Sequence, residues 1–342
     1  MIFSLRRARS IALAACSLFA LSAIGAQAET AQEFFKGKTI KILVPYGAGG
    51  GYDIYARMLA PYFGKYLAAT VIVQNKVGAS GMLGMNQVYT ASPDGTELVF
   101  YQGTSAAAAQ ISGDKAVRFD LMKMSHIATV AYSPWVLLVQ PKSPVNSIDD
   151  LKKFGRPITF GGNGPMSADS TGSRVACMAL KLDCKLIVAY KGSREVSLAL
   201  TRGELDAYYV SDSSAFRYVR SGAAKALAVF GPVKSIFLPE VKTIFELTSL
   251  DAEGRWVVEY NNKLEALGRL LSGPPGIPAD RLALLQKMAK EVLTDPKFLD
   301  AAKEGKREIF YADPQSTIKA IKGALEVSPE QKKTVLKLIQ GR

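Results

Sequence analysis

Two glycine-rich segments hold the residue types in this chain that are best suited to binding chemistry. The first, residues 45–53 (PYGAGGGYD), lies between an apolar, β-branched run and a helical pattern. Glycine permits positive φ and lets a ligand approach main-chain N–H groups without obstruction from a Cβ atom. A helix N-terminus adds unpaired donors and a partial positive charge. The pattern therefore predicts an anion-binding turn, with Asp53 as the N-cap of the following helix.

The second segment, residues 161–167 (GGNGPMS), occupies the same position in a later series of strands and helices. Its main-chain donors and the hydroxyls of Ser167 and Ser170 favour a second anionic or polar group. In open α/β sheets, ligands collect at the carboxyl ends of strands, where both turns are expected. Two such turns facing each other would hold a small acid between two lobes. The alternative is that the glycines serve only to make tight turns.

Nucleotide binding is not supported by the first turn. A dinucleotide fingerprint needs a third glycine where Tyr52 stands, and an acidic residue near the end of the next strand, where Gln74 and Asn75 stand. No Gly-Lys-Ser/Thr follows the turn, which excludes a Walker loop.

Catalytic and metal-binding patterns are also missing from the sequence. His126 is the only histidine, so neither a HExxH zinc site nor a histidine cluster is possible. No Gly-x-Ser-x-Gly elbow occurs, and Cys177 has no motif partner that would make it a nucleophile. The residues therefore predict a protein that is not an enzyme and has no cofactor and no metal.

The composition indicates packed cores and an anionic partner. The 342 residues are 48% hydrophobic and 21% charged, which fits about two domains of roughly 150 residues each. Subtracting 30 Asp and Glu from 43 Lys and Arg gives a net charge of +13, a field that would steer acids. No run of five like charges occurs, so nucleic acid is not an expected partner.

Residues 1–28 have the pattern of a secretory signal peptide. Arg6, Arg7 and Arg9 precede an uncharged apolar stretch over residues 11–24, and residues 26–28 (AQA) predict cleavage after Ala28. The stretch is shorter than the roughly 20 residues of a membrane-spanning anchor. A lipoprotein box ending at Cys16 is a second alternative, with a short apolar run before it. In an oxidising compartment Cys177 and Cys184 could pair, and the alternative is two buried free thiols.

Strand and helix patterns alternate along most of the chain, which predicts an α/β fold with parallel strands. Strands are expected over residues 39–45, 71–74, 97–101 and 127–139, then over 158–160, 185–190, 205–210 and 225–230. Helices are expected over residues 53–67, 169–181, 195–202 and 213–221. In the tail we expect a strand over residues 256–260 and helices over 280–293, 296–304, 314–326 and 329–339. A helical tail cannot form its own sheet layer, so it is expected to pack on the first domain.

Four segments resemble the extracytoplasmic solute receptors of tripartite tricarboxylate transporters, the Bug- or TctC-type binding proteins. They are residues 40–57 (IKILVPYGAGGGYDIYAR), 73–84 (VQNKVGASGMLG), 92–98 (SPDGTEL) and 189–206 (AYKGSREVSLALTRGELD). Residues 238–241 (LPEV) and 274–278 (PPGIP) add weaker support. The chain differs from the family pattern at Tyr46 and Tyr52, where Phe and a smaller residue are usual, and over residues 210–213.

The resemblance implies a two-lobed periplasmic-binding-protein fold of type II-like α/β architecture. Each lobe has a mixed sheet flanked by helices, and crossing hinge strands join them. The implied division is residues 29–134 with 250–342 for lobe 1 and residues 135–249 for lobe 2. The lobes would close like a Venus flytrap over a ligand held by Tyr46, Ala48, Gly49, Gly50, Gly51, Tyr52, Asp53, Thr104, Ser105, Gly162, Asn163, Gly164, Ser167 and Asp212.

The implied function is capture of a small carboxylate in the periplasm and its delivery to the membrane permease subunits of such a transporter. We expect the receptor to act as a monomer. Two alternatives stay open at this point: an exported α/β enzyme acting on a small organic acid, and a ligand sensor for a membrane signalling partner. The sequence does not identify the acid.

Overall fold

A computed structural model describes residues 29–341 of the chain. The predicted signal peptide and the Ala28 cleavage site lie outside the described residues. Within residues 29–341, no helix combines the length and the apolar character that crossing a membrane requires.

Two separate five-stranded sheets define two lobes. The first sheet has the strand order β2-β1-β3-β10-β4. Its strands are β1 (Thr39–Val44), β2 (Thr70–Asn75), β3 (Glu97–Gln102), β4 (Ser125–Ala131) and β10 (Arg269–Gly273). β1 pairs in parallel with β2 and β3, whereas β10 runs antiparallel to β3 and β4. The sheet is therefore mixed, and a strand from late in the chain completes it.

The second sheet has the order β7-β6-β8-β5-β9 and lies entirely in the middle of the chain. Its strands are β5 (Trp135–Val139), β6 (Ile158–Gly161), β7 (Cys184–Ile187), β8 (Ala207–Ser211) and β9 (Lys225–Val229). β6 pairs in parallel with β7 and β8, and β5 runs antiparallel to β8 and β9. The two sheets thus have the same pattern of parallel and antiparallel neighbours.

Fourteen α-helices of the described residues flank the sheets and follow most of the strands. They are α1 (Ala31–Phe35), α2 (Gly51–Leu67), α3 (Met82–Tyr89), α4 (Gly103–Ser112), α5 (Ile148–Lys152), α6 (Ala168–Leu180), α7 (Ser193–Thr201), α8 (Asp212–Arg220), α9 (Ile244–Leu247), α10 (Ala252–Glu265), α11 (Ala279–Leu293), α12 (Pro296–Glu304), α13 (Pro314–Leu325) and α14 (Pro329–Gln340). Two short 3-10 helices, Ala79–Gly81 and Leu121–Lys123, complete the set.

The long apolar run predicted over residues 127–139 forms two strands in different sheets. Every residue of β4 and of β5 is buried, which is the expected pattern for strands covered on both faces. Ser133 and Pro134 interrupt the run, and there the chain passes from the first lobe to the second. It returns through α10, so the crossing segments join the lobes as hinge connections.

Three expectations about local structure were wrong or incomplete. Residues 256–260 form part of α10 and not a strand, since Asp251 caps this helix through Gly254 N–H and Trp256 stacks on Tyr260 one turn later. β10 was not expected, because its five residues (RLLSG) have no clear strand pattern and gain their strand partners only from β3 and β4. The alanine-rich helix α4 was also missed.

The structure pairs Cys177 with Cys184 in a disulfide with a Cα–Cα distance of 6.3 Å. The bond ties the last turns of α6 to the first residue of β7. The tight turn at Lys181 connects these two elements, and Lys181 has the left-handed backbone typical of a helix end.

Candidate functional site

The cleft between the lobes encloses a cavity of about 50 Å³. Residues from both lobes line it: Tyr46, Gly47, Gly50, Gly51, Tyr52, Gln102, Trp135, Asn163, Asp169, Gly192, Ser193, Tyr208, Val210, Ser211, Ser214 and Arg269. Most of them stand at the carboxyl end of a strand or in the first turn of the helix that follows.

Five helices begin at this cavity, and in none of them does the N-cap side chain accept from a first-turn N–H group. They are α2, α4, α6, α7 and α8, with Gly50, Gln102, Ser167, Gly192 and Ser211 at their N-cap positions. The first N–H groups of a helix have no acceptor inside the helix. Their donors and the positive ends of their dipoles therefore converge on one small space, which favours a negatively charged occupant.

The glycine turn of the first lobe places the start of α2 at the cavity. Gly50 is the N-cap residue, and Asp53 is in the first turn, so the expected capping role of Asp53 was wrong. The tight turn starts the helix three residues earlier than expected. The Asp53 carboxylate instead accepts from Gly49 N–H at 2.8 Å and pairs with Arg57 at 2.9 Å. These bonds outweigh burial and hold the pKa of Asp53 below its ordinary value.

Hydrogen bonds across the cleft hold the two lobes together around the cavity. Gly47 N–H donates to the Lys191 carbonyl at 3.0 Å. On another side, Ala168 N–H donates to Ser105 Oγ at 3.0 Å and Met166 N–H to Ser80 Oγ at 3.3 Å. Each bond joins the first lobe to the second, so the structure is a closed form of the cleft.

A buried arginine supplies the full positive charge of the cavity. Arg269, the first residue of β10, is only 4% exposed and lies opposite Gln102 in the sheet register. Its guanidinium donates to Ser133 Oγ at 3.0 Å and Ser211 Oγ at 3.2 Å, while its Nε atom has no partner. It forms no ion pair with any carboxylate in residues 29–341.

The opposite wall holds a buried carboxylate at the start of α6. Asp169 accepts from Asn163 N–H at 3.2 Å and from Ser170 N–H at 2.9 Å, and it also accepts from the Ser167 hydroxyl. Burial raises the pKa of Asp169 to about 6, and these donors oppose a larger rise. The carboxylate fixes the second glycine turn, which brings Asn163 to the cavity.

Aromatic rings form much of the remaining wall. Tyr46 and Tyr52 lie with ring centroids 4.7 Å apart, and Tyr46 Oη accepts from Gln102 N–H at 3.2 Å. Trp135 stacks on Tyr209 of the second sheet at 5.3 Å. These rings exclude water from the donors and strengthen their interaction with a charged ligand.

Five of the residues expected to bind ligand line the cavity: Tyr46, Gly50, Gly51, Tyr52 and Asn163. The others lie near it without lining it: Ala48, Gly49, Asp53, Thr104, Ser105, Gly162, Gly164, Ser167 and Asp212. Several of these polar groups have partners within the protein. Thr104 Oγ1 donates to the Leu264 carbonyl at 2.9 Å, Ser167 Oγ to the Gly164 carbonyl at 2.7 Å, and Asp212 Oδ2 accepts from Ser235 at 2.8 Å.

Sequence reasoning missed several lining residues. Gly192 and Ser193 form a third strand-end turn inside the segment 189–206. A glycine and a serine directly before a helical pattern could have indicated this turn from the sequence. Arg269 had a weaker signal, a basic residue directly before the apolar pair Leu270 and Leu271. Residues 210–213 match the expected family pattern poorly, so nothing in the sequence indicated that Ser211 and Ser214 belong to the site.

His126 has a structural position and is remote from this cavity. It lies in β4, buried, with one ring nitrogen 2.7 Å from the Leu121 carbonyl and the other 3.0 Å from Ser272 Oγ. Among the described residues, no group of three or more His, Cys, Asp or Glu side chains is arranged to hold a metal ion.

Comparisons with known proteins agree on one family. The model of the tripartite tricarboxylate transporter family receptor matches residues 55–337. A UPF0065 protein of Bordetella pertussis is 27% identical over 301 residues, which is 86% of each chain.

Solved structures share the fold at lower identity. The periplasmic binding protein BugD superposes with a TM-score of 0.74 at 23% identity, covering 89% of this chain and 98% of that one. MatC from Rhodopseudomonas palustris with bound malate has a TM-score of 0.72 at 19% identity, covering 87% and 99%. An R. palustris protein with adipate has a TM-score of 0.74 at 18% identity, covering 88% and 97%.

These matches confirm the two-lobed periplasmic-binding-protein fold that was expected from the sequence. The family consists of substrate-binding receptors and not of enzymes, which decides against an exported enzyme. Since the family model spans most of its length, this chain belongs to the tripartite tricarboxylate transporter family of receptors.

Proposed function

We propose that this protein is a periplasmic receptor that captures a small carboxylate between its lobes and delivers it to the permease subunits of a tripartite tricarboxylate transporter. The observation that carries the proposal is the meeting of five helix N-termini, none with a bond from its N-cap side chain, at one cavity between the lobes. Removing a carboxylate from water is costly unless new donors replace its hydration. Fixed N–H groups replace it here with charge-assisted bonds.

The division of donors between the lobes explains how a ligand would favour closure. α2 and α4 belong to the first lobe, and α6, α7 and α8 belong to the second. A carboxylate touched by both sets gains its full interaction only when the cleft is closed. Such a ligand shifts the population toward the closed form by its difference in affinity for the two forms. The closed complex is then the species that a permease would recognise.

The ligands of two structural neighbours support the ligand class. MatC is described with malate and its R. palustris counterpart with adipate, and both ligands are small dicarboxylates. In the present cavity Tyr52 and Arg269 stand in the wall. We therefore propose a carboxylate for this chain and leave its carbon skeleton to measurement.

A ligand panel tests the proposal on the protein that begins at Glu29. Acetate, lactate, succinate, malate, adipate, citrate and benzoate are compared by thermal denaturation, with glucose and putrescine as uncharged and cationic controls. An acid present at 100 times its Kd stabilises the folded protein by about 2.7 kcal/mol. We expect at least one acid to raise Tm and neither control to do so. A Tm shift with glucose or putrescine alone would contradict the ligand class.

We further propose export by the segment 1–28, cleavage after Ala28 and action as a monomer. Arginines, an apolar stretch and the small residues at 26 and 28 support this processing. N-terminal sequencing of the periplasmic fraction should return Glu29 first, and light scattering should give one chain per particle.

A further inference from the structure

We propose that Arg269 is the charged partner of a ligand carboxylate, and that it makes the site select an ionised acid over the corresponding amide. This inference rests on the proposed function and deepens it, since it names the side chain that sets the charge requirement. Glycine-turn amides alone would bind any strong acceptor, whereas a buried guanidinium requires a compensating negative charge.

The guanidinium is incompletely satisfied inside the protein. Its two observed bonds go to neutral hydroxyls, those of Ser133 and Ser211, and its Nε donor has none. The nearest acidic influence comes from Asp212 and Glu308, which interact with Arg269 through space. Neither forms an ion pair with it, and burial raises the pKa of Asp212 to about 6 and that of Glu308 to about 7.

Arg269 and the first glycine turn lie next to each other in the wall of the cavity. A Cβ atom built on Gly51 would lie 4.0 Å from Arg269 Nη2 and 3.4 Å from Ser214 Oγ. The N-terminus of α2, the N-terminus of α8 and the guanidinium therefore surround the same part of the cavity. A carboxylate there would receive main-chain donors from both lobes and a planar pair of N–H groups from the arginine.

Two tyrosines hold the guanidinium in position. Its Cζ atom lies 5.3 Å from the ring centroid of Tyr52 and 4.6 Å from that of Tyr55. Cation–π contact supports the charge without consuming its N–H donors. Arg269 lines the cavity, and those of its donors that are not bonded to Ser133 and Ser211 stay free for a ligand carboxylate.

The experiment compares an acid with its own amide. The probe is the panel acid with the lowest Kd for the wild-type protein, measured by calorimetry beside its monoamide. In Arg269→Met, which keeps the length and loses the charge, we expect the acid to bind about 30-fold or more weakly. The preference for acid over amide should fall by a similar factor. Arg269→Lys should retain part of that preference, because the charge remains and the two-donor geometry is lost.

Arg307→Met is the matched control. Arg307 is also buried, has an unpartnered Nε atom and lies 5.7 Å from the Tyr55 ring, but it does not line the cavity. Its variant should keep the wild-type preference for acid over amide. If Arg269→Met does not fold, Arg269→Gln replaces it, since the amide can keep a bond to Ser133 or Ser211.

The outcomes separate the two proposals. If no acid binds to the wild-type protein, the proposed function itself is wrong. If acids bind and Arg269→Met loses affinity for acid and amide equally, Arg269 is a structural residue and this inference is wrong. An unchanged acid affinity in Arg269→Met would overturn it as well.

Discussion

The helices that begin at the cleft and the helices that begin elsewhere differ in how their N-termini are satisfied. Six helices away from the cavity have a side chain that accepts from a first-turn N–H group: α1, α5, α10, α12, α13 and α14, capped by Thr30, Ser147, Asp251, Asp295, Asp313 and Ser328. At the five cleft helices the N-cap side chain makes no such bond. α3 and α11 also lack one, although they do not line the cavity. In α6 the first-turn N–H groups of Ala168 and Ser170 donate instead to Ser105 Oγ and to the Asp169 carboxylate.

This difference shows where the protein gives up stability for binding. A side-chain cap contributes about 0.5–2 kcal/mol to a helix. A helix N-terminus without such a cap forgoes this contribution. Under the proposed function, a bound carboxylate accepts from first-turn N–H groups that no side chain caps, as serine, threonine and aspartate side chains do elsewhere in the chain.

The largest expected effect comes from blocking a cleft N-terminus. In Gly50→Val the new Cβ would lie 3.2 Å from the Gly47 carbonyl oxygen and 3.4 Å from Ser193 Oγ. The side chain would fill the space between α2 and α7, and we expect carboxylate affinity to fall by about 100-fold or more, as for loss of two to three hydrogen bonds to a charge. Calorimetry measures the change. Gly323→Val, at an exposed helical glycine with nothing within 4 Å, should bind normally.

A side-chain cap introduced at a cleft helix should compete with the ligand for the first-turn N–H groups of that helix. Ser211→Asp places a carboxylate at the N-cap of α8, beside Arg269 Nη2. We expect the ligand-free protein to gain about 1 kcal/mol in unfolding free energy and carboxylate binding to fall by at least tenfold. Urea denaturation and calorimetry test the two effects. Ser211→Asn is the uncharged control, and equal behaviour of the two variants would show that charge is not the cause.

Two buried carboxylates, one at a helix N-terminus and one at a helix C-terminus, predict how the stability of the protein depends on pH. Asp169 lies at a helix N-terminus and has a pKa raised to about 6, whereas burial raises the pKa of Glu265, the last residue of α10, to about 8. Glu265 accepts from Tyr209 at 2.8 Å and Asn261 at 2.7 Å, yet it has no helix N–H groups to favour its ionised form.

The sign of the pH effect follows from proton binding. Between pH 4.5 and about 8 the folded protein holds a proton on Glu265 that the unfolded chain releases. Unfolding therefore releases a proton, and stability falls as pH rises, by about 1 kcal/mol per pH unit for this group. Asp169 also makes stability fall as pH rises, between pH 3.8 and about 6. In Glu265→Gln, urea midpoints should decline less steeply from pH 6 to 8. An unchanged slope would show that Glu265 is ionised in the folded protein.

The smallest effect is expected at an outward helix. Asp313 accepts from Gln315 N–H at 2.9 Å and Ser316 N–H at 3.0 Å at the start of α13. Asp313→Ala should cost about 1 kcal/mol of unfolding free energy and leave carboxylate affinity unchanged. Asp313→Asn retains an acceptor and should cost less. A loss of binding in Asp313→Ala would mean that capped and uncapped helices are not functionally separate.

Local sequence patterns determine much of this fold. The helices predicted over residues 280–293 and 296–304 begin and end within one residue of α11 and α12. Proline and aspartate at helix starts, and strand runs that end in glycine, act over a few residues and can be read directly. The family and its two-lobed fold also followed from the resemblance of short motifs; the family model confirms the family and the solved structures confirm the fold.

The sequence by itself determined the turns, most helices and the anionic character of the expected ligand, because these depend on neighbouring residues. Only the tertiary structure decided which groups meet in the cavity. Arg269 reaches the turn at Gly51 because β10 pairs with β3 across more than 160 residues of chain, and Gly192 faces Gly47 only because the lobes close. Pairing register and lobe contact arise from packing over long sequence separations, which no local spacing encodes.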